Sequence, residues 1–435
     1  MQRVTIIGGG LAGSEAAYQL AQRNISVTLH EMRPLTSTPA HMTGDLGELV
    51  CSNSLRAKKP TNAPGVLKEE LRIMDSLIMR AADHAQIPAG GALAVDRQAF
   101  SRFISETIES MEMIDIVRGE VTTIPSGPVI IASGPLSSAA LSSAIQEFLN
   151  DDALHFFDAV APIITKDSIN MDTCYIKDRY GETGEGDYIN CPMDEAQYTA
   201  FYNYMMKGEG VTLREFEKNV FEGCMPVESM ASRGKDTLRY GPLKPVGLAR
   251  DEAHKPHAVV QLRKDDARDT MVNIVGFQTQ LKFGEQKRLI RMIPGLENAE
   301  IVRYGVMHKN SFIKAPAHLH ATYRSKTRED VFFAGQLSGV EGYIESTGSG
   351  IVAALNMAAH MRGKDSLIFP PNTIMGAQAD YLATANQEQF QPMNANFGLL
   401  PPLEGKHRKK ERKKLYGERA IESMKTFKKD VVDYV

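Results

Sequence analysis

The first residues suited to chemistry are glycines. Gly8-Gly9-Gly10-Leu11-Ala12-Gly13 follows the apolar run RVTII at 3–7 without a spacer. In a strand–turn–helix, Gly8 permits the tight turn, Gly10 lets the backbone approach a pyrophosphate, and Gly13 lets the helix close on the strand. The free N–H groups and positive dipole end of the helix suit phosphate. Glu31 ends the next apolar run (SVTLHE, 26–31), placed to accept from ribose hydroxyls. An acid there disfavours a 2′-phosphate, which leaves FAD or NAD as the nucleotide. FAD is favoured because the fingerprint starts at residue 8, as for a resident prosthetic group. A second glycine cluster, GQLSGVEGYIESTGSG at 335–350, can also bring a helix N-terminus to the cofactor. Within it Gly335, Gly348 and Gly350 are candidate cofactor contacts, and Tyr343 is placed to cover a flavin ring. The plainer alternative for this cluster is a structural turn.

Thiols come next. Cys51, Cys174, Cys191 and Cys224 are widely spaced along the chain. None forms a CxxC pair, so neither a zinc site nor a thioredoxin-like site is expected, and no metal is assigned. Cys51 (ELVCSNSL) and Cys224 (FEGCMPVE) stand in turn-like segments, where a thiolate finds access and N–H or cationic neighbours. Cys174 (DTCYI) and Cys191 (INCPM) stand on apolar, strand-like segments and are expected to be small buried hydrophobes. His308, in RYGVMHKNSF, has Arg303, Tyr304, Lys309 and Asn310 around it and can stack on a heteroaromatic ligand, although a lone histidine is more often structural.

Positioning these residues requires elements. Strand 3–7, helix 14–23 and strand 26–31 make a complete βαβ unit, the setting the glycine fingerprint demands. Residues 34–65 read as an irregular loop; helical periodicity covers 66–86 and 97–112; 128–134 and 329–335 read as buried strands. The second glycine cluster then leads into an alanine-rich helix from 350, and 370–405 shows little periodicity. The expected class is α/β. A Rossmann-like FAD-binding domain (1–153 and 301–405) accepts an inserted α+β domain (154–300) and is followed by a basic C-terminal helix (406–435). The composition, 43% hydrophobic and 24% charged over 435 residues, excludes disordered, collagen-like and disulfide-scaffold classes. No run approaches the ~20 apolar residues of a membrane span. The glycines that interrupt the first apolar run exclude a signal-peptide core, so a cytoplasmic protein is expected. The net charge of −3 argues against nucleic acid until it is divided by position. From Lys406 to Lys429 eleven Lys/Arg face three Glu, a local +8 on a body of −11. Lysine and arginine without interleaved aromatics favour phosphate contacts over base reading, although such a run is commonly a solvated face.

Read together, these residues are similar to one family. GGGLAGSEAA, EMRP, TPAH, ELVCSNS, TNAPGVLKEE, PAGGALAVDR, YGPLKPVGL, VVQLR, VGFQT, MIPGLENAEIVRYGVMH and YLATAN resemble, in order from residue 3 to about 405, the folate- and FAD-dependent tRNA (uracil-5-)-methyltransferases (TrmFO or Gid). The larger GidA proteins share the flavin fold but lack the VCSNS and MIPGLENAEIVRYGVMH blocks. The resemblance implies FAD as cofactor, with 5,10-methylenetetrahydrofolate and NAD(P)H as co-substrates, and C5 of a T-loop uracil in tRNA as acceptor. It implies catalytic cysteines at Cys51 and Cys224 and a pterin contact at His308. The insert and the basic C-terminus would grip tRNA. Of the two cysteines, Cys224 is favoured as the C6 nucleophile and Cys51 as its helper. A small-molecule flavin oxidoreductase and a non-catalytic tRNA-binding flavoprotein are the competing readings.

Overall fold

The computed structural model describes residues 3–38, 40–151, 154–159, 161–210, 225–305, 307–405 and 407–434. The first part of the chain runs β1 (Val4–Ile7), α1 (Leu11–Ala21), β2 (Val27–Glu31), β3 (Ser54–Ala57), α2 (Ala63–Ile73), α3 (Leu77–His84), β4 (Gln86–Ile87), β5 (Ala92–Val95), α4 (Arg97–Glu109), β6 (Ile114–Arg118), β7 (Val129–Ile131) and α5 (Ala139–Leu149). The middle runs β8 (Leu154–Ala159), β9 (Ile163–Thr165), β10 (Tyr175–Ile176), β11 (Tyr188–Met193), α6 (Glu195–Lys207), α7 (Val227–Ala231), α8 (Thr237–Tyr240), β12 (Ala258–Lys264), β13 (Met271–Ile274), α9 (Phe283–Arg291), β14 (Ile301–Arg303) and β15 (Met307–Phe312). The last part holds α10 (Ala315–His318), β16 (Val331–Phe333), α11 (Tyr343–Met361), α12 (Ile374–Thr384) and α13 (Lys409–Tyr434).

Five strands form a parallel sheet in the order β16-β7-β1-β2-β6. Three of its strands, β1, β7 and β16, are short and almost wholly apolar, as strands covered on both faces must be. Every residue of α1 is buried, because α1 lies between this sheet and α11. The Rossmann-like α/β class is therefore observed, with β16 from the late segment completing the nucleotide fold.

The insert is a six-stranded sheet, β10-β11-β12-β13-β9-β14, with its own apolar core from Ile164 to Ala299. The chain enters it through β8 and returns through β15, and these two strands pair antiparallel with His308 opposite Asp158. β14, which a boundary at 300 assigns to the nucleotide domain, pairs with β9 of the insert. So short a strand carries too little periodicity to reveal its partner.

Two other elements differ from the sequence reading. The periodicity over 66–86 is split, because Asp75 takes φ +57° and Ser76 caps α3 by accepting from the Met79 N–H. α11 begins at Tyr343 and not at 350, so STGSG lies inside a helix. Glycine disfavours helix by about 1 kcal/mol, but a Cβ on Gly350 would stand 2.4 Å from the Ala12 carbonyl oxygen. Close packing of α11 on α1 overrides propensity there. The irregular stretch 34–65 contains β3, which pairs with β5 in a three-stranded sheet.

Candidate active site

The glycine turn has the geometry its sequence demands. Gly8 takes φ +104°, and a Cβ there would meet the Ala132 carbonyl oxygen at 2.5 Å. A Cβ on Gly13 would stand 1.8 Å from the Gly8 carbonyl oxygen, so nothing larger than glycine lets α1 approach β1. Gly10 caps α1 without a side-chain hydrogen bond, and its Cβ position faces open space. That open space belongs to a cleft of about 550 Å³ lined by Gly8, Gly10, Glu31, Gly119 and Ser133. Leu11 and Ala12 open the helix behind it and are buried.

Glu31 lines the same cleft, yet its four lone-pair directions are occupied. Oε1 accepts from the Arg33 N–H and Nε–H, both at 2.9 Å; Oε2 accepts from the Gly9 N–H at 2.9 Å and an Arg33 terminal N–H at 3.2 Å. Burial would raise the Glu31 pKa, but the Arg33 hydrogen bonds and charge outweigh it and hold the carboxyl below its usual range. Arg33 also pairs with Glu48 at 2.9 Å, which ties the 31–48 loop to the turn. A ribose hydroxyl would share an oxygen that already serves two protein donors.

The second cleft, about 770 Å³, is lined by Cys51, Ser54, Arg56, Gln278, Tyr343 and Glu345 among others. Cys51 is half-buried, on a loop that three arginines hold by its backbone and side chains. Arg97, the first residue of α4, donates to the carbonyls of Leu49 (2.6 Å) and Cys51 (2.9 Å). Arg303 of β14 donates to Val50 (2.8 Å) and Ala40 (3.2 Å). Arg263 of β12 donates to Ser52 Oγ and Asn53 Oδ1, both at 3.0 Å. Two of these guanidiniums belong to the insert. Arg97 is itself bound to Asp265 of the insert at 3.2 Å. Burial opposes the Arg97 charge, but Asp265, Tyr343 and Cys51 more than restore it; burial lowers the pKa of Arg263 and Arg303. The result is a cysteine in an electropositive, partly open setting, the setting that favours thiolate chemistry.

Tyr343 opens α11 and accepts from the Cys51 N–H at 2.8 Å through its hydroxyl oxygen. In the same first turn, Glu345 is buried with Oε1 accepting from the Ala395 N–H at 2.9 Å and from Arg56 at 3.4 Å. Its other oxygen, Oε2, has no hydrogen-bond partner among the described residues. Behind Gln278, Glu228 is buried against Thr279, whose hydroxyl donates to it; burial pushes this carboxyl up to about 7.

Cys51 and Tyr343 are thus brought together. Gly335 takes φ +76° after β16, donates its N–H to Ser349 Oγ at 2.7 Å, and lies against Ala12. Gly348 faces Leu67, Leu71 and Met375, and Gly350 faces Ala12, so both give α11 its packing surfaces. Cys224 lies outside the described residues. The backbone of His308 lies in β15; its side chain is outside the described set. Cys174 and Cys191 are buried in the insert core with sulfurs 3.3 Å apart, as their apolar flanks suggest. Arg97, Arg263, Arg303 and Asp265 carry no motif; the only sequence signal for the arginines is position within the blocks PAGGALAVDR, VVQLR and EIVRYG. Among the described residues no group of three or more His, Cys, Asp or Glu is placed to hold a metal. No described helix is long and apolar enough to cross a membrane.

The sequence profile described as glucose inhibited division protein A matches residues 3–365. A protein of Exiguobacterium sibiricum named methylenetetrahydrofolate--tRNA-(uracil-5-)-methyltransferase TrmFO is 56% identical over 432 residues, 98% of this chain and 99% of that protein. A Bacillus cereus protein (strain AH187) of the same name is 55% identical over 98% of this chain and 99% of its own length. Among solved structures, Aquifex aeolicus GidA superposes with TM-scores of 0.72 and 0.70 in two crystal forms, at 17% identity. It covers 99% of this chain, which spans 76% and 75% of GidA. That likeness concerns the fold.

Proposed function

The chain belongs to the glucose inhibited division protein A family, and on that premise we propose that it is a folate- and FAD-dependent tRNA (uracil-5-)-methyltransferase. One observation carries the reading: relatives of that name are 55–56% identical across 98% of the chain, the segments that build both clefts included.

The first cleft fits FAD. Gly10, with open space at its Cβ position and an uncapped helix behind it, suits a pyrophosphate, and Gly8 to Gly13 would hold it. Gly335 and Tyr343 stand where the flavin end would lie, while Gly348 and Gly350 act by seating α11. Bound there, FAD would supply the hydride that takes a one-carbon unit from methylene to methyl oxidation state, with NAD(P)H as the source of reducing equivalents.

The protein's own residues carry the rest. Uracil C5 is a poor nucleophile until a thiolate adds to C6 and generates an enolate. Cys224 is assigned that addition. C5 then attacks the methylene carbon of 5,10-methylenetetrahydrofolate, whose pterin His308 would contact; loss of the C5 proton lets the carbon–nitrogen bond break and tetrahydrofolate leave, and hydride would take that carbon to methyl. Cys51 is assigned the proton transfers: a base must remove the C5 proton before elimination restores the C5–C6 double bond and frees the cysteine. The three arginines hold the Cys51 loop, and Tyr343 fixes the Cys51 backbone N–H. A T-loop uracil is stacked within folded tRNA, so the base must be drawn out to reach the cleft.

The test is to incubate holoprotein with a T-loop transcript, methylene-labelled methylenetetrahydrofolate and NADPH. Label is expected in 5-methyluridine. Flavin that is bound and reducible, with no label in RNA, overturns the reading.

A further inference from the structure

The basic segment 406–429, most of which lies in α13, and the Cys51 cleft stand far apart in sequence, and the structure joins them. α13 is seated on the turn that follows β3: a Cβ on Gly417 would stand 2.4 Å from the Pro60 carbonyl oxygen. That turn is the end of LRAKKP, whose first cation, Arg56, lines the Cys51 cleft. Arg56 has φ +65° in the irregular β3–β5 pairing, and its side chain remains about one-third exposed beside Glu345. At ~3.3 Å per extended residue, Lys59 lies within about 10 Å of backbone from Arg56. Lys58 and Lys59 are exposed. Among the described residues, no carboxylate pairs with either.

On α13, Lys413 precedes Gly417 by one turn and so shares the face that meets Pro60. Lys413 and Arg408 are exposed and likewise lack a carboxylate partner among the described residues. Three other lysines of the helix differ: Lys414, Lys425 and Lys428 pair with Glu418, Glu422 and Asp75. Exposed Lys429 also lacks a carboxylate partner among the described residues but lies at the far end of α13, whereas Arg408 and Lys413 lie on the N-terminal side of Gly417, the residue seated on Pro60.

We propose that Arg408, Lys413, Lys58 and Lys59 form one phosphate-binding strip that leads an RNA strand over the Pro60 turn, past Arg56, into the Cys51 cleft. The proposal rests on the RNA-methyltransferase reading and gives the substrate a path. Lysine and arginine contacts to phosphate fix register and orientation without reading sequence. The strip would bring the backbone in while the cleft takes the base.

The experiment measures binding of a T-loop hairpin RNA to holoprotein between 50 and 200 mM salt, for wild type, Lys58→Glu/Lys59→Glu, Lys413→Glu and Lys425→Glu. Thermal midpoint and flavin content report that each variant folds. Each lost phosphate contact lowers the log–log salt slope by about 0.7–0.9. The double variant should lose about 1.5 in slope and about tenfold in affinity, equally for hairpins of different loop sequence. Lys413→Glu should lose about half as much in slope, and Lys425→Glu little. Wild-type slope in the double variant, or an equal loss in Lys425→Glu, overturns the strip. Loss of binding to phosphatidylserine vesicles with RNA binding intact overturns it in favour of a lipid surface. A wild type that binds no hairpin and transfers no label removes the underlying reading, a separate outcome.

Discussion

The two clefts are built on opposite plans. The nucleotide cleft has a local floor: Gly8, Gly10, Glu31 and Arg33 belong to one continuous stretch of chain at the first βαβ unit, and Gly119 and Ser133 complete its wall. The Cys51 cleft is assembled from Cys51, Arg97, Arg263, Arg303 and Tyr343, which come from both the nucleotide domain and the insert. Two buried acids, Glu31 in the first cleft and Glu228 behind Gln278 of the second, differ in the same way. Glu31 sits between four protein donors and is held ionised, whereas Glu228 meets a hydroxyl and a long N–H contact at 3.5 Å and is pushed up to about 7. A local motif brings its own counter-charge; an assembled site depends on what distant segments deliver.

The sharpest break of that comparison is Cys51→Ala. It should lower label transfer by about 10²–10⁴-fold, the usual worth of a positioned acid–base group, with flavin content and thermal midpoint unchanged. Equal transfer would leave the second cleft without its proposed chemistry. Next, Arg97→Met should cost about 3 kcal/mol by leaving Asp265 buried without its cation, measured by denaturant unfolding. It should also slow label transfer while flavin still binds, since the Cys51 loop loses two carbonyl anchors. Glu31→Gln should cost about 2 kcal/mol and also lose flavin, because Arg33 and the Gly9 N–H lose a charged acceptor. If flavin were retained at full affinity, the first cleft would not depend on its local acid.

The smallest effect concerns pH. Glu228 has a folded pKa above its unfolded value, so the native state holds the proton between about 4.5 and 7 while the unfolded state releases it. Stability contributed by this group is full below about 4.5 and is lost as pH rises towards 7. Glu228→Gln should flatten that decline across the window, read as the pH dependence of denaturant unfolding. Glu31 has the opposite sign: its contribution is present above its unfolded value and is lost as pH falls through its lower folded value. A Glu228→Gln variant with the wild-type pH slope would erase the contrast between the two acids.

This division also governs what the sequence makes legible. The βαβ unit is readable because its turn, helix and acid obey spacing rules inside the single stretch from Val4 to Glu31; only the helix start differs, at Leu11 and not 14. α12 is hard to see because Ile374 to Ala379 is buried all round, so no polar face marks its period. The glycines of STGSG argue against helix on propensity, yet the approach of α11 to α1 requires Gly350. Cys51 is legible as a thiol in a polar loop. Its arginines are not, since strand pairing in the insert decides where Arg263 and Arg303 arrive. The interaction strip is half visible: composition exposes the basic helix, and only the seating of Gly417 on Pro60 reveals its neighbours.

The hold of Arg303 and Tyr343 on the Cys51 loop sets a schedule for biosynthesis. Val50 meets Arg303 across 253 residues, and Cys51 meets Tyr343 across 292. At ~5–20 residues per second, roughly 10–60 s separate the emergence of the cysteine from that of its partners. Throughout that interval the nucleotide turn has all its local parts, while the cysteine loop lacks its clamps. The thiol is therefore set only when the late segment arrives that also brings β16 and α11 to the nucleotide fold.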